Sequence, residues 1–215
     1  MVDSTTVTRS AVEAVQAAGE RSCPLLIGTN ADEGSLFSFH LPGEIGESEL
    51  IAALQEHCDD PGRVADAYAG AYPGLSLRSR MVKMNGDTMF RTPSLRVIDS
   101  QVRAGGAPVW VYLFTWKSRG FGGVMGAMHA LEIPFVWKQD LKFWAAIVGE
   151  GNPEPPDLAD QMHEAWIAFT RNGDPNHPGI PAWPAYELEK RPTMEFGSET
   201  VVTSDPDGAT RACWN

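Results

Sequence analysis

The most strongly patterned stretch of the chain is Ala107 to Trp116, APVWVYLFTW. Side chains alternate across a strand, so Val109, Val111 and Leu113 share one face and Trp110, Tyr112 and Phe114 the other. Both faces are apolar. Such a strand is covered on both sides, as in the interior of a parallel sheet. Pro24 to Gly28 (PLLIG) repeats the pattern in shorter form. Helical spacing occurs in two places. Leu95, Ile98 and Val102 lie on one face of a helix predicted to start at Thr92-Pro93, as N-cap and first-turn proline, and to end at Gly105. Leu158, Met162, Trp166 and Phe169 define a second helix over about 157–172, with Gly173 placed for a left-handed cap. A weaker helix covers about 49–57, with Leu50, Ile51 and Leu54 inward and Ser48 as its cap. Residues 193–196 and 201–203 predict short late strands.

Helix alternating with buried strand implies an α/β sheet. Two strong strands are few for a doubly wound domain of 215 residues. Either the sheet is small, or most of its strands lie outside this chain. In the second case the 107–116 strand is expected to expose an open edge and an apolar face. The composition, 43% hydrophobic and 21% charged, is that of a globular chain rather than a disordered one. Lys and Arg number 17 against 28 Asp and Glu, a formal charge of −11. That balance argues against a general nucleic-acid binder and against docking on anionic lipid. No apolar run approaches the roughly 18 residues of a membrane span. The start, Met1-Val2-Asp3-Ser4, shows no basic and apolar leader, which makes the cytoplasm the default expectation. Cys23, Cys58 and Cys213 are too few and too scattered for a disulfide framework; they leave room for one pair, with buried free thiols the expectation.

Several chemical signatures fail. Gly120 to Gly126 (GFGGVMG) is neither a dinucleotide fingerprint nor a phosphate loop, and His163-Glu164 lacks a second histidine at metalloprotease spacing. Neither a metal nor a nucleotide cofactor is therefore expected. Ser48 and Ser76 stand in imitations of the G-x-S-x-G nucleophile elbow, but Leu50 and Arg78 occupy the position that needs a small residue. Neither serine follows a credible buried strand.

Two constellations hold. One is Pro24 to Phe37 (PLLIGTNADEGSLF), where a buried strand runs into a polar loop carrying a carboxylate. The other is Gly126 to Phe135 (GAMHALEIPF), on the loop after the 107–116 strand. Catalytic groups of parallel sheets collect beyond the carboxyl ends of strands. Glu33 and His129 both follow such ends and can meet there.

At these residues the sequence resembles the type-B carboxylesterase and lipase family of α/β-hydrolases. The matching runs are GTNADEGSLF (28–37), GDTMFRTPSLRVIDSQVRAGGAPVWVYLFTW (86–116), GAMHALEIPFVW (126–137), WIAFTRNGDPNHPGIPAWPAY (166–186) and RPTMEFG (191–197). They stand in the family's order and span nearly the whole chain. The resemblance implies a serine carboxylesterase whose acid is Glu33 and whose base is His129. Asp32 is the competing acid. Glu132 is expected to be a buried structural carboxylate, and His40, His57, His163 and His177 surface or loop residues. Leu36 and Phe37, which follow Glu33, are candidates to line the acyl or alcohol pocket, with core packing the equal alternative. Trp166 and Phe169 are expected in the core.

The family's nucleophile elbow and glycine-rich oxyanion hole lie upstream of the matching runs. Residues 1–215 are thus expected to be the carboxyl-terminal part of such a domain, an incomplete sheet carrying two thirds of a triad and inactive alone. The start of the chain resembles an internal segment of the family, so the absent leader loses its weight. The implied partners are a small-molecule carboxylic ester and a separate or missing amino-terminal half. A catalytically silent truncated or split chain, and a non-catalytic esterase-like binding module, are the alternatives. Retention of Glu33 and His129 favours descent from an active enzyme.

Overall fold

The strand over Val109–Phe114 (β2) is buried at every position. It lies inside a four-stranded sheet of order β1-β2-β3-β4. The other strands are Leu25–Asn30 (β1), Pro192–Phe196 (β3) and Thr200–Ser204 (β4). Strands β1 and β3 both run parallel to β2, and β4 returns antiparallel to β3. Both edges of β2 are therefore paired within this chain. The open edge expected at β2 falls instead on β1, whose one neighbour among the described residues is β2 and whose residues Leu25 to Gly28 are only half-buried. The late strands, weak as sequence signals, supply the second neighbour. The architecture is a mixed α/β fold with a mostly parallel sheet. It is described by a computed structural model covering residues 2–214 except 4, 150, 153, 154 and 156.

Helices occupy both faces. In chain order they are α1 (Ala11–Ala18), α2 (Glu47–Leu54), α3 (Pro61–Ala71), α4 (Leu77–Gly86), α5 (Thr92–Arg103), α6 (Ile133–Val136), α7 (Ala145–Val148), α8 (Leu158–Asn172) and α9 (Gly208–Cys213). The two apolar faces of β2 enter different cores. Trp110, Tyr112 and Phe114 pack with Phe135, Leu158, Met162, Trp183 and Phe196. Val109 and Val111 pack with Leu95 and Ile98 of α5 and with Tyr186. A third cluster joins α2, α3, α4 and α9 through Leu54, Val64, Tyr68, Met84 and Trp214. Trp166 and Phe169 are partly buried against the first core. Helix α8 ends as its sequence predicts, with Gly173 at φ 72 donating its N–H to Phe169. All three cysteines are free thiols, but only Cys213 is buried as expected; Cys58 is half-buried and Cys23 exposed.

Two helix starts differ from expectation. Helix α2 begins at Glu47, not after a Ser48 cap, because Gly46 is the N-cap residue and the Glu49 carboxylate accepts its N–H at 2.7 Å. Thr92 is no cap either. It is helical (φ −62, ψ −47), and α4 runs into α5 through a π-turn over Asp87–Arg91. Proline inside an α-helix loses one hydrogen bond and its ring strikes the carbonyl four residues back. The wider turn before Pro93, with Thr92 N–H bonded five residues back to Asp87, absorbs this conflict and lets the helix continue.

Candidate active site

Strand β1 ends at Asn30, and the chain turns through Ala31 and Asp32 into a 3₁₀ segment, Glu33–His40. Glu33 is its first residue and is buried. Both of its carboxylate oxygens are engaged. Oε1 accepts the Asn30 N–H at 2.8 Å, and Oε2 meets Nδ1 of His129 at 2.7 Å. Burial holds the Glu33 carboxyl above its ordinary range, against the lowering effects of the Asn30 N–H and His129. An ionised Glu33 can only accept, so Nδ1 of a neutral His129 must carry the proton and Nε2 must be the acceptor. The His129 side chain is 37% exposed.

The loop bearing His129 is pinned at several points. The Asp32 N–H donates to Ala127 C=O at 2.9 Å, and Asp32 Oδ2 accepts the Ala127 N–H at 2.9 Å. Gly126 allows this approach: its φ is +56, and a Cβ there would stand 2.2 Å from Asp32 Oδ2. Asp32 thus spends its carboxylate on the loop backbone. The turn closes with the Leu131 N–H donating to Met128 C=O at 3.2 Å, and Ala130 is held at φ 66. Beneath the loop, the Phe90 ring stacks on the imidazole at 4.6 Å and 28°, and the Phe37 ring lies 5.4 Å away, tilted by 51°. Phe90 comes from the π-turn, whose departure from α-helical spacing fixes where that ring projects.

A second backbone contact seats the Glu33 segment on α4. Gly34 and Gly86 approach so closely that a Cβ on Gly34 would fall 2.0 Å from the Val82 carbonyl oxygen. Lys83 Nζ donates to Ala31 C=O at 2.7 Å. A cleft beside this contact is lined by Asp32, Glu33, Ser35, Arg78, Lys83 and Lys117, among others. Leu36 and Phe37 do not line it. Leu36 packs on the main core, while Phe37 faces Phe90 and His129.

The remaining candidates lie elsewhere or do other work. Glu132 is half-buried and accepts from the Asn30 side chain at 2.6 Å. Ser48 sits in the first turn of α2, and Ser76 is the N-cap of α4, accepting the Ser79 N–H. His40 and His57 are exposed. His163 lies on α8 rather than in a loop, half-buried, with Nδ1 at 2.8 Å from Val136 C=O, and His177 contacts Gln161 C=O. Among the described residues no cluster of three or more His, Cys, Asp or Glu could hold a metal, and no helix is long and apolar enough to cross a membrane. Sequence reasoning did not single out Asn30 or Phe90. The signal for Asn30 was the change from apolar to polar residues, Thr29-Asn30, at the end of β1.

Glu33 and His129 thus meet beyond the carboxyl ends of the neighbouring parallel strands β1 and β2. The chain belongs to the carboxylesterase family, whose model matches residues 1–214. It is similar to the para-nitrobenzyl esterase of Bacillus subtilis, with 32% identity over 98% of this chain and 41% of that protein. Phenmedipham hydrolase of Pseudarthrobacter oxydans is 30% identical over 92% of this chain and 40% of its own length. A carboxylesterase structure from Geobacillus stearothermophilus superposes with a TM-score of 0.80 at 31% identity, covering all of this chain and 45% of that one. The chain thus spans less than half the length of these relatives.

Proposed function

We propose that this chain carries the acid and base of a Ser-Glu-His triad for carboxylic ester hydrolysis. The observation supporting this reading is the 2.7 Å contact between Glu33 Oε2 and His129 Nδ1. It leaves Nε2 as the basic nitrogen. In the proposed reaction Nε2 takes the proton of a serine hydroxyl as the serine oxygen attacks the ester carbonyl. The imidazolium then protonates the leaving alcohol as the C–O bond breaks, giving an acyl-serine. Water repeats the sequence: His129 takes its proton, the acid is released and the serine proton returns. Glu33 holds the tautomer and stabilises the imidazolium. In this reading the serine is carried by the amino-terminal part of the fold; Ser48 and Ser76, the two serines in elbow-like settings, stand at no strand-to-helix turn.

The test supplies the amino-terminal part of the fold, in cis or as a separate chain, and follows para-nitrophenyl ester hydrolysis. The chain alone is expected to show neither hydrolysis above background nor labelling by a fluorophosphonate. In the completed protein His129→Ala should lower kcat by several orders of magnitude, and Glu33→Gln by ~10⁴ by analogy with the serine-protease aspartate. Glu132→Gln should lower stability more than kcat. Full activity in His129→Ala would overturn the reading, and a larger kcat loss in Glu132→Gln than in Glu33→Gln would transfer the acid role to Glu132.

A further inference from the structure

Asn30 is 4% exposed at the carboxyl end of β1. Its side-chain nitrogen faces two acceptors, Met128 C=O at 2.7 Å and Glu132 Oε2 at 2.6 Å. Two acceptors on the same atom fix which end of the amide is nitrogen. Its backbone N–H donates to Glu33 Oε1, the oxygen that does not meet His129. One residue therefore grips the acid and both sides of the turn that bears the base: the residue just before His129 and the residue three after it.

We propose that Asn30 is the positioning residue that sets His129 against Glu33, with Glu132 as its anchor rather than as a second acid. The turn needs such a restraint. Ala130 holds φ 66, a conformation that L side chains adopt at a cost and that persists only where surrounding contacts over-determine it. Asp32 fixes the upstream end, at Ala127. Beyond His129 the side-chain grip on the turn is the Asn30–Glu132 bond. The stacked Phe90 ring restrains the plane of the imidazole but supplies no polar partner that would select a tautomer. Asn30 acts through Met128, Glu132 and Glu33, and has no direct bond to the imidazole. Its catalytic meaning rests on the acid–base reading, whereas its geometric role can be measured on this chain alone.

The experiment is ¹⁵N NMR of the labelled chain, which reads which ring nitrogen of His129 carries the proton at a pH where Glu33 is ionised and the ring neutral. The wild type is expected in the Nδ1–H form. Asn30→Ala removes both side-chain bonds and keeps the backbone N–H to Glu33. It should lower the ratio of Nδ1–H to Nε2–H at least about tenfold, the scale of one hydrogen bond to a charged acceptor. Glu132→Leu should shift the ratio in the same direction, and Glu132→Gln, which keeps an acceptor for Asn30, should restore it. If Asn30→Ala does not fold, Glu132→Leu, at the less buried partner, decides. An unchanged ratio in a folded Asn30→Ala or Glu132→Leu chain overturns the role of Asn30 and leaves the acid–base reading intact. A wild type in the Nε2–H form overturns both.

Discussion

Gly34→Ala is a one-carbon change whose sign the structure dictates. The added Cβ would lie 2.0 Å from the Val82 carbonyl oxygen and 2.9 Å from the Gly86 nitrogen, where ordinary contact begins near 3.4 Å. Both obstacles are backbone atoms of α4, so no side chain can rotate out of the way. The Glu33 segment must move off the helix by about an ångström, and overpacking of this kind costs about 1–3 kcal/mol. Gly70 supplies the control. It is exposed in α3, and a Cβ there meets nothing within 4 Å. Gly70→Ala should stabilise by about 0.5–1 kcal/mol through helix propensity. For a chain of this size each kcal/mol moves Tm by about 2–4 °C. The same chemical change should therefore lower Tm by roughly 2–12 °C at position 34 and raise it by roughly 1–4 °C at position 70. Calorimetry or urea unfolding, with the m-value compared between variants, reads the difference. A Gly34→Ala protein as stable as the wild type would show that the loop and helix do not share this contact.

Three further outcomes follow from burial and exposure. Because burial raises the Glu33 pKa above 4.5, the folded state keeps a proton that the unfolded chain releases. The contribution of this group to stability should fall as pH rises from 4.5 through the raised value. Glu33→Gln lacks that loss and should gain on the wild type across the interval, while a shrinking gap in urea titrations would contradict the assignment. Cys213 is buried with its thiol pushed up to about 11, whereas Cys23 is exposed. A disulfide reagent should label Cys23 rapidly in the native chain, Cys23→Ser should abolish that phase, and fast labelling of Cys213 would count against the packing of α9. Finally, the unpaired edge of β1 should make the isolated chain bind an apolar dye or self-associate; a monodisperse, dye-silent monomer would refute this.

What could be read from the sequence followed the strength of its apolar patterns. β2 was legible because six consecutive side chains are buried on both faces, and α8 because its stripe is long and its capping glycine sits in place. Helix α4 was not. Its stripe of Leu77, Met81 and Met84 is short and interrupted by Arg78, Arg80 and Lys83, and it leans besides on backbone contact at Gly86. Helix α3 offers only Val64 and Tyr68 to the core, one turn apart. Glu33 and His129 could be picked out because each follows a strand end and stands in a motif resembling the esterases. Asn30 and Phe90 stand in no such motif, and their contacts with Met128, Glu132 and His129 emerge only once the chain is folded. Phe90 depends in addition on a helix that passes through a proline which reads, in isolation, as a beginning.

That passage has a consequence for register. In an α-helix each residue advances about 100° around the axis and 1.5 Å along it. The π-turn over Asp87–Arg91 accommodates one extra residue, so α4 and α5 are out of phase with each other by about that angle. Helix α5 is locked by Leu95 and Ile98 against the sheet, and α4 offers Gly86 to the Glu33 segment. Deleting one residue from the turn would restore continuous α-helical phase and swing every side chain of α4 by about a quarter of a revolution. Gly86 would leave Gly34, and Lys83 would leave Ala31. The turn works as a phase adjuster, letting one helix satisfy the core at one end and seat the Glu33 segment at the other.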